Sequence, residues 1–98
     1  MSAFQLVLSA EAINDLDQAV EYYNSLSDGL GFEFADTFDR YFIKIQQLPS
    51  ASAIRYDRVR VKPIDTFPFT IHYTITDSQI IILRVFNTYQ KPAFDKTI

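Results

Sequence analysis

The spacing of hydrophobic and polar residues changes along the chain, and each spacing predicts a different element. The opening stretch FQLVLS alternates apolar and polar positions, which is typical of a short strand. From residue 10 to residue 26 the apolar residues recur every three or four positions, which predicts a first helix with Ser9 as its N-cap. SDGLG then predicts a turn, since it holds the only two glycines, Gly29 and Gly31.

A second amphipathic helix is predicted from Leu30 to Leu48, and Pro49 ends it. Its apolar stripe is rich in aromatic residues and comprises Leu30, Phe34, Phe38, Tyr41, Phe42, Ile45 and Leu48. Such a stripe is typical of core packing, and nothing in it indicates a cofactor site. The short loop between the two helices predicts a helical hairpin.

After residue 53 the pattern alternates with a period of two, which predicts three strands of an antiparallel meander. Val59 and Val61 alternate with Arg58, Arg60 and Lys62, which predicts a half-buried strand with a basic outer face. FPFTIHYTI alternates cleanly, TDSQ predicts a tight turn, and IIILRVF is apolar on both faces, as in a central strand. The order β-α-α-β-β-β predicts a single α+β domain over residues 1–98, with the helical hairpin packed on one face of a small antiparallel sheet.

The turn between the last two strands decides which face of the sheet carries Arg84. A three-residue turn places Arg84 on the face of His72, away from the aromatic row, whereas a two-residue turn places it beside Ile71 and Tyr73. An arginine among those apolar residues needs a carboxylate partner, and they offer none. We therefore expect the three-residue turn, with Arg84 on the face that the helices leave free.

Composition limits the classes of protein that fit the sequence. The chain has 98 residues, of which 48% are hydrophobic, as expected for one globular domain. It has no cysteine and one histidine, which excludes disulfides and thiolate chemistry and argues against a structural zinc site. We expect neither a metal nor a cofactor. No apolar run reaches the ~20 residues that span a membrane, and no basic leader precedes the first apolar stretch, so we expect a cytoplasmic protein.

The net charge of −3 is distributed unevenly along the chain. Residues 1–48 carry eight acidic and two basic side chains, whereas residues 49–98 carry four acidic and seven basic side chains. Basic and aromatic residues of the second half form a candidate site for a charged partner: Arg58, Arg60, Lys62, Arg84, Tyr89 and Lys91. The alternative is that these charges keep an exposed strand soluble and discourage pairing of sheet edges.

Three stretches, EYYNSLSDGLGFEF, FPFTIHY and VFNTYQKP, together with the element order, resemble the RelE/ParE superfamily of bacterial type II toxin–antitoxin systems. The similarity covers nearly the whole chain and is greatest to the branch called plasmid stabilisation proteins. It implies a small toxin that a cognate antitoxin neutralises by wrapping a flexible segment around the sheet and helices. A homodimer and a hetero-oligomer with the antitoxin both remain open.

Two activities occur in this superfamily. RelE-like members cleave messenger RNA on the ribosome with cationic and aromatic side chains, and ParE-like members bind DNA gyrase. The nuclease branch tends to have an arginine where this chain has Thr70, and another just past the last strand, where this chain reads Asn-Thr-Tyr-Gln. The remaining candidates for catalysis are Arg60, Arg84 and Tyr89. Since most of the nuclease residues are missing, we expect a ParE-like toxin that binds a protein target, with DNA gyrase as the default target.

Two alternatives stay open at this stage: a RelE-like ribosome-dependent mRNA endoribonuclease, and a non-toxic protein that only binds an antitoxin. Asn87 stands where the plasmid-stabilisation branch usually has a histidine, and an asparagine cannot shuttle protons near neutral pH. The residues that we expect to bind a partner are Arg58, Arg60, Lys62, Arg84, Asn87, Tyr89 and Lys91. In particular, we expect an acidic antitoxin segment to cover Arg58, Arg60 and Arg84.

Overall fold

In the computed structural model, which describes residues 4–89, two helices pack on one face of a five-stranded sheet. The elements in chain order are β1 (Gln5–Leu8), α1 (Ala10–Leu26), α2 (Leu30–Gln47), a 3₁₀ turn (Pro49–Ala51), β2 (Ile54–Tyr56), β3 (Val59–Pro63), β4 (Phe69–Ile75) and β5 (Gln79–Asn87). The predicted α+β class and helical hairpin are confirmed. The short strand β2 is an additional element that the sequence pattern did not predict.

The strands lie in the order β1-β5-β4-β3-β2. Strands β3 to β5 form the predicted antiparallel meander, and the unpredicted β2 extends it. β5 lies inside the sheet, as its apolar sequence predicts. β1 pairs with β5 in parallel, so the prediction of a purely antiparallel sheet was wrong at this strand. Parallel neighbours need a long connection between them, and here the helical hairpin and three strands provide it.

Ser9 fixes the start of α1 to the sheet. Its Oγ accepts a hydrogen bond from the backbone N–H of Ala12 at 3.0 Å, which confirms the predicted N-cap. The same hydroxyl donates to the carbonyl oxygen of Leu83 on β5 at 2.7 Å. One side chain therefore satisfies a free N–H at the helix end and determines where α1 leaves the sheet.

The two helices approach each other most closely at Gly31. Its N–H donates to the side chain of Asn24 at 2.7 Å, and a Cβ at this position would lie 2.3 Å from the carbonyl oxygen of Val20. Gly29 has a φ of 84°, in the left-handed region, and turns the chain from α1 into α2. The two glycines therefore make the short hairpin loop possible.

An aromatic cluster fills the space between the hairpin and the sheet. The ring of Phe34 on α2 lies 5.0 Å from those of Phe67 and Phe69 and 5.2 Å from that of Tyr23 on α1. Other side chains of this core are fully buried on the sheet: Ile71, Tyr73, Ile80 and Ile82. We call the face of the sheet that these residues share the helix-covered face, and the opposite one the helix-free face.

The turn between β4 and β5 is shorter than predicted. The N–H of Thr76 donates to the carbonyl oxygen of Gln79 at 2.8 Å, which leaves Asp77 and Ser78 as a two-residue turn. By the alternation of β5 alone, this turn would bring Arg84 to the helix-covered face. The three-residue turn that we predicted was therefore wrong.

A β-bulge nevertheless places Arg84 on the helix-free face, as expected. On β4, Tyr73 stands opposite Ile82, and the residue before it, His72, stands opposite Arg84. Leu83 has no partner of its own between them and is an extra residue in β5. An extra residue reverses the alternation beyond it. No local pattern in the sequence indicates this bulge, because IIILRVF is apolar on both faces.

The two faces of β3 are the reverse of the prediction. Arg60 stands opposite Tyr73 and Lys62 stands opposite Ile71, which puts both basic residues on the helix-covered face. Val61 stands opposite His72 on the helix-free face. The predicted basic outer face is therefore wrong. The long side chains of Arg60 and Lys62 instead run along the helix side of the sheet. Arg60 reaches the segment that follows α2, and Lys62 reaches Tyr41 on α2.

Candidate functional site

His72 lies at the centre of the helix-free face and is only 6% exposed. Its Nδ1 lies 2.9 Å from the hydroxyl of Tyr56 on β2, and its Nε2 lies 2.9 Å from the hydroxyl of Thr70 on β4. The ring of Phe86 on β5 meets the imidazole edge to face at 4.9 Å. Both ring nitrogens therefore have hydroxyl partners, and the imidazole links three strands.

Arg84 lies beside this cluster, but a carboxylate already binds its guanidinium group. The guanidinium carbon lies 4.4 Å from the centre of the Phe86 ring, and Nε and Nη2 donate to the two carboxylate oxygens of Asp15 at 2.8 and 2.9 Å. The N–H of Val85 donates to the same carboxylate at 2.9 Å. The hydrogen bond to Asp15 raises the pKa of Arg84 above its ordinary value. Arg84 is therefore charged and paired.

Asp15 occupies this position because β1 is shorter than β5. β1 pairs with β5 only as far as Ile82, so the outer edge of β5 has no strand beside it at Val85. α1 begins directly after β1 and carries Asp15 past this edge, where its carboxylate takes the place of a strand neighbour for the Val85 N–H. Sequence reasoning missed this contact, which depends on two distant segments.

The other predicted basic residues lie elsewhere. Arg60 donates from Nη1 to the carbonyl oxygen of Ser52 at 2.7 Å, on the opposite face of the sheet from Arg84. The Nζ of Lys62 lies 5.7 Å from the centre of the Tyr41 ring on α2. Arg58 is exposed in the turn between β2 and β3. The fold therefore does not bring the three arginines together on one surface.

A turn follows the end of β5 at Asn87. The side-chain oxygen of Asn87 accepts a hydrogen bond from the N–H of Tyr89 at 2.8 Å, and the N–H of Thr88 donates to the carbonyl oxygen of Pro68 at 2.7 Å. Burial, and then the phenols of Tyr22 and Tyr89, raise the pKa of Tyr23, and the Tyr89 side chain is exposed. Lys91 lies outside the described residues.

The helix-free face is mainly neutral. Among the described residues that pair across β3, β4 and β5, Arg84 is the only arginine or lysine on this face. The other side chains there are apolar or hydroxyl-bearing, apart from His72: Val59, Val61, Pro63, Thr70, Thr74, Ile81 and Phe86. RNA cleavage through the 2′-hydroxyl needs a base, a proton donor and cations near the phosphate. On this face the residues that pair across β3, β4 and β5 supply one cation, Arg84, and it is paired with Asp15.

Residues 4–89 offer neither a cluster of metal ligands nor a membrane-spanning helix. In this part of the chain, no group of three histidine, aspartate or glutamate side chains is placed to hold a metal ion. Neither α1 nor α2 has the length and apolar character needed to cross a bilayer.

Comparison with known proteins gives a family and a fold. The family model described as "ParE toxin of type II toxin-antitoxin system, parDE" matches residues 6–92. A solved structure described as a chromosomal ParDE toxin–antitoxin system from P. aeruginosa superimposes with a TM-score of 0.78 at 21% sequence identity. The match covers 89% of this chain and 98% of that one. No curated protein sequence gives a significant match.

Proposed function

Because the chain belongs to the ParE toxin family of type II toxin–antitoxin systems, we propose that it acts by binding a protein target and not by cleaving RNA. DNA gyrase is the first target to test, since it is the target that the ParE resemblance implies. We further propose that a cognate antitoxin neutralises the toxin. The structural neighbour, described as a ParDE toxin–antitoxin system, supports such a partner.

The observation that carries the proposal is the state of the charged residues. The ion pair with Asp15 occupies Arg84, the arginine of the helix-free face, and Arg60 lies on the other face against a backbone carbonyl. His72 is buried, with a hydroxyl at each ring nitrogen. Within residues 4–89, these side chains form no exposed group of cations around a base, which RNA cleavage needs.

The antitoxin contacts that we expected from sequence stay a prediction, with a constraint from the fold. A segment that touches both Arg60 and Arg84 must reach both faces of the sheet, since these residues face opposite ways. Arg58, in the exposed turn between β2 and β3, is accessible from the outer edge of the sheet. We propose that an acidic antitoxin segment that contacts these arginines passes around this edge.

The deciding experiment compares two activities of the purified full chain. We expect it to arrest growth on induced expression, to spare growing cells when the antitoxin is co-expressed, and to inhibit supercoiling by purified DNA gyrase. Ribosome-bound messenger RNA should stay intact at the same protein concentration. Codon-position cleavage of that message would establish the nuclease alternative instead. Normal growth in the presence of abundant folded protein would favour the alternative of a non-toxic antitoxin-binding protein.

A further inference from the structure

The side of α2 that faces away from the sheet carries large apolar side chains among carboxylates. Phe32, Asp36, Asp39 and Ile43 follow one another at steps of four, three and four residues, which places them on one side of the helix. Phe32 is 71% exposed and Ile43 is 54% exposed. The buried residues of α2 lie on its other side, against the sheet. These two apolar side chains therefore have no role in the core.

Two carboxylates of α1 extend this surface. α1 meets α2 along Val20 and Asn24, which contact Gly31. By the helical repeat, Asp17 and Glu21 lie beside this line of contact, on the side away from the buried residues of α1, and both are exposed. We call this set of six residues the outer hairpin surface: Asp17, Glu21, Phe32, Asp36, Asp39 and Ile43.

The charge of the outer hairpin surface is strongly negative. Its four carboxylates have one basic neighbour, Arg40, which pairs with Asp36 at 2.6 Å. Both members of this pair are mostly exposed, so it contributes little to stability. Three carboxylates remain without a cation on α1 or the outer side of α2. Such a surface repels nucleic acid and attracts lysine and arginine side chains.

We propose that the outer hairpin surface binds a basic amphipathic helix of a partner protein. One apolar side chain of the partner packs on Phe32, another packs on Ile43, and lysine or arginine side chains lie between them, over the carboxylates. Phe32 and Ile43 are 11 positions apart in the sequence, which is about 16 Å along the helix. The two apolar side chains of the partner are therefore about three helical turns apart. This proposal holds whichever protein is the target of the toxin.

A designed peptide tests the proposed chemistry with the full chain. The probe is a fluorescein-labelled, alanine-rich helical peptide that has two leucines three turns apart and lysines between them. In one reference peptide glutamine replaces the lysines, and in the other alanine replaces the leucines. We expect fluorescence anisotropy to give saturable binding of the probe, about tenfold or more tighter than that of either reference peptide. Equal affinity for all three peptides, or no saturable binding, would overturn the proposal.

Matched variants locate the site. Phe32→Ser combined with Ile43→Ser should weaken probe binding about tenfold or more. The control combines Tyr22→Ser with Leu26→Ser, which are 57% and 59% exposed on a different side of α1, and it should leave the affinity unchanged. Thermal unfolding verifies that both variants are folded. Equal weakening by the control would contradict the proposal. The proposal would also fail if the chain alone forms a dimer that Phe32→Ser dissociates, because a second copy of the chain would then occupy the surface.

A second pair of variants separates specific contacts from net charge. Asp39→Asn removes a carboxylate of the outer hairpin surface, and Glu11→Gln removes an exposed carboxylate near Arg84, outside it. Both variants change the net charge by the same amount. We expect only Asp39→Asn to weaken probe binding, by about threefold to tenfold. Equal weakening by both variants would show that the probe responds to overall charge, which would overturn the assignment of the site.

Discussion

Gly31 is the residue at which the packing of the hairpin is least tolerant. A Cβ there would lie 2.3 Å from the backbone carbonyl oxygen of Val20 and 2.6 Å from the side chain of Asn24. The helices must move apart to accept it. We expect Gly31→Ala to lower the free energy of unfolding by about 2–3 kcal/mol, measured by urea denaturation.

Gly29→Ala is the matched control, since Gly29 has a φ of 84° but a Cβ added to it would meet nothing within 4 Å. Its cost is conformational only, about 1 kcal/mol. Strain of this kind leaves the contact between the helices intact. The explanation from close packing fails if Gly29→Ala destabilises the protein more than Gly31→Ala does.

Asp15 stabilises the fold through two different groups, the Arg84 guanidinium and the Val85 N–H. Because the Arg84 side chain is 40% exposed, water screens the ion pair and reduces its contribution. The larger loss in Asp15→Ala comes from the unpaired N–H. We expect a decrease of about 2 kcal/mol in the free energy of unfolding for Asp15→Ala and about 1 kcal/mol for Arg84→Ala.

A double-mutant cycle measures the coupling between Asp15 and Arg84. The double variant should lose less stability than the sum of the two single variants, since each single variant already breaks the pair. Asp17→Ala, an exposed carboxylate on the same helix, should change the free energy of unfolding by less than about 0.5 kcal/mol. Additive losses in the cycle would mean that the two side chains do not interact in solution.

At the scale of elements, the sequence pattern predicts the helices better than the sheet. The N-cap Ser9 and the turn glycines define α1 and α2 locally, so their bounds follow from residues within the helices and at their ends. In the sheet, the face on which a residue lies depends on partner strands that are distant in the sequence. The predicted alternation around Val59 and Val61 was correct, but alternation alone does not determine which face of the strand lies under the helices. A long side chain such as Arg60 can reach polar groups from the helix-covered face.

The candidate site shows the same limit. Sequence placed Arg84 on the helix-free face, yet the chain reaches that arrangement through a bulge at Leu83, which no local pattern reveals. The sequence also could not pair Asp15 with Arg84, because 69 residues separate them and no motif connects them. Pairing of this kind depends on where β1 ends and α1 begins, which is a property of the assembled fold.

The β2–β3 hairpin forms the outer part of the sheet. β3 pairs with β4 along its backbone, and Tyr56 adds a contact from β2 to His72 on β4. β2 has three residues and an irregular register, so its own ladder is weak. We expect Tyr56→Phe to speed hydrogen exchange of backbone amides in residues 54–63, with a loss of only about 1 kcal/mol in global stability.

Tyr22→Phe is the control for this prediction, since it removes the hydroxyl of an exposed tyrosine on α1. Exchange in the β2–β3 hairpin should then equal that of the unmodified chain. If Tyr56→Phe leaves exchange in residues 54–63 unchanged as well, the hydroxyl contact with His72 does not hold the hairpin.

At the scale of the whole molecule, the charge asymmetry of the sequence becomes a division between layers. α1 carries four carboxylates and no basic side chain, and the basic residues of the second half that the structure describes lie on the strands and turns of the sheet: Arg55, Arg58, Arg60, Lys62 and Arg84. The sheet does not concentrate its basic residues on one face, since Arg60 and Arg84 face opposite ways. The helix-free face is therefore mainly neutral, and the acidic hairpin lies on the other side of the sheet.

The last prediction follows from this arrangement and separates binding from RNA cleavage. Arg60→Ala and Arg84→Ala both remove a cation that the nuclease alternative requires for catalysis. In the protein-binding toxin each arginine serves mainly the fold, since Arg60 bonds to the Ser52 carbonyl and Arg84 to Asp15. Inhibition of gyrase, normalised to the amount of folded protein, should therefore stay within about threefold of the unmodified chain, or about 0.7 kcal/mol. The assays are run at a temperature where circular dichroism shows that both variants are folded. The nuclease would be established if the unmodified chain cleaves mRNA and both variants lose all activity.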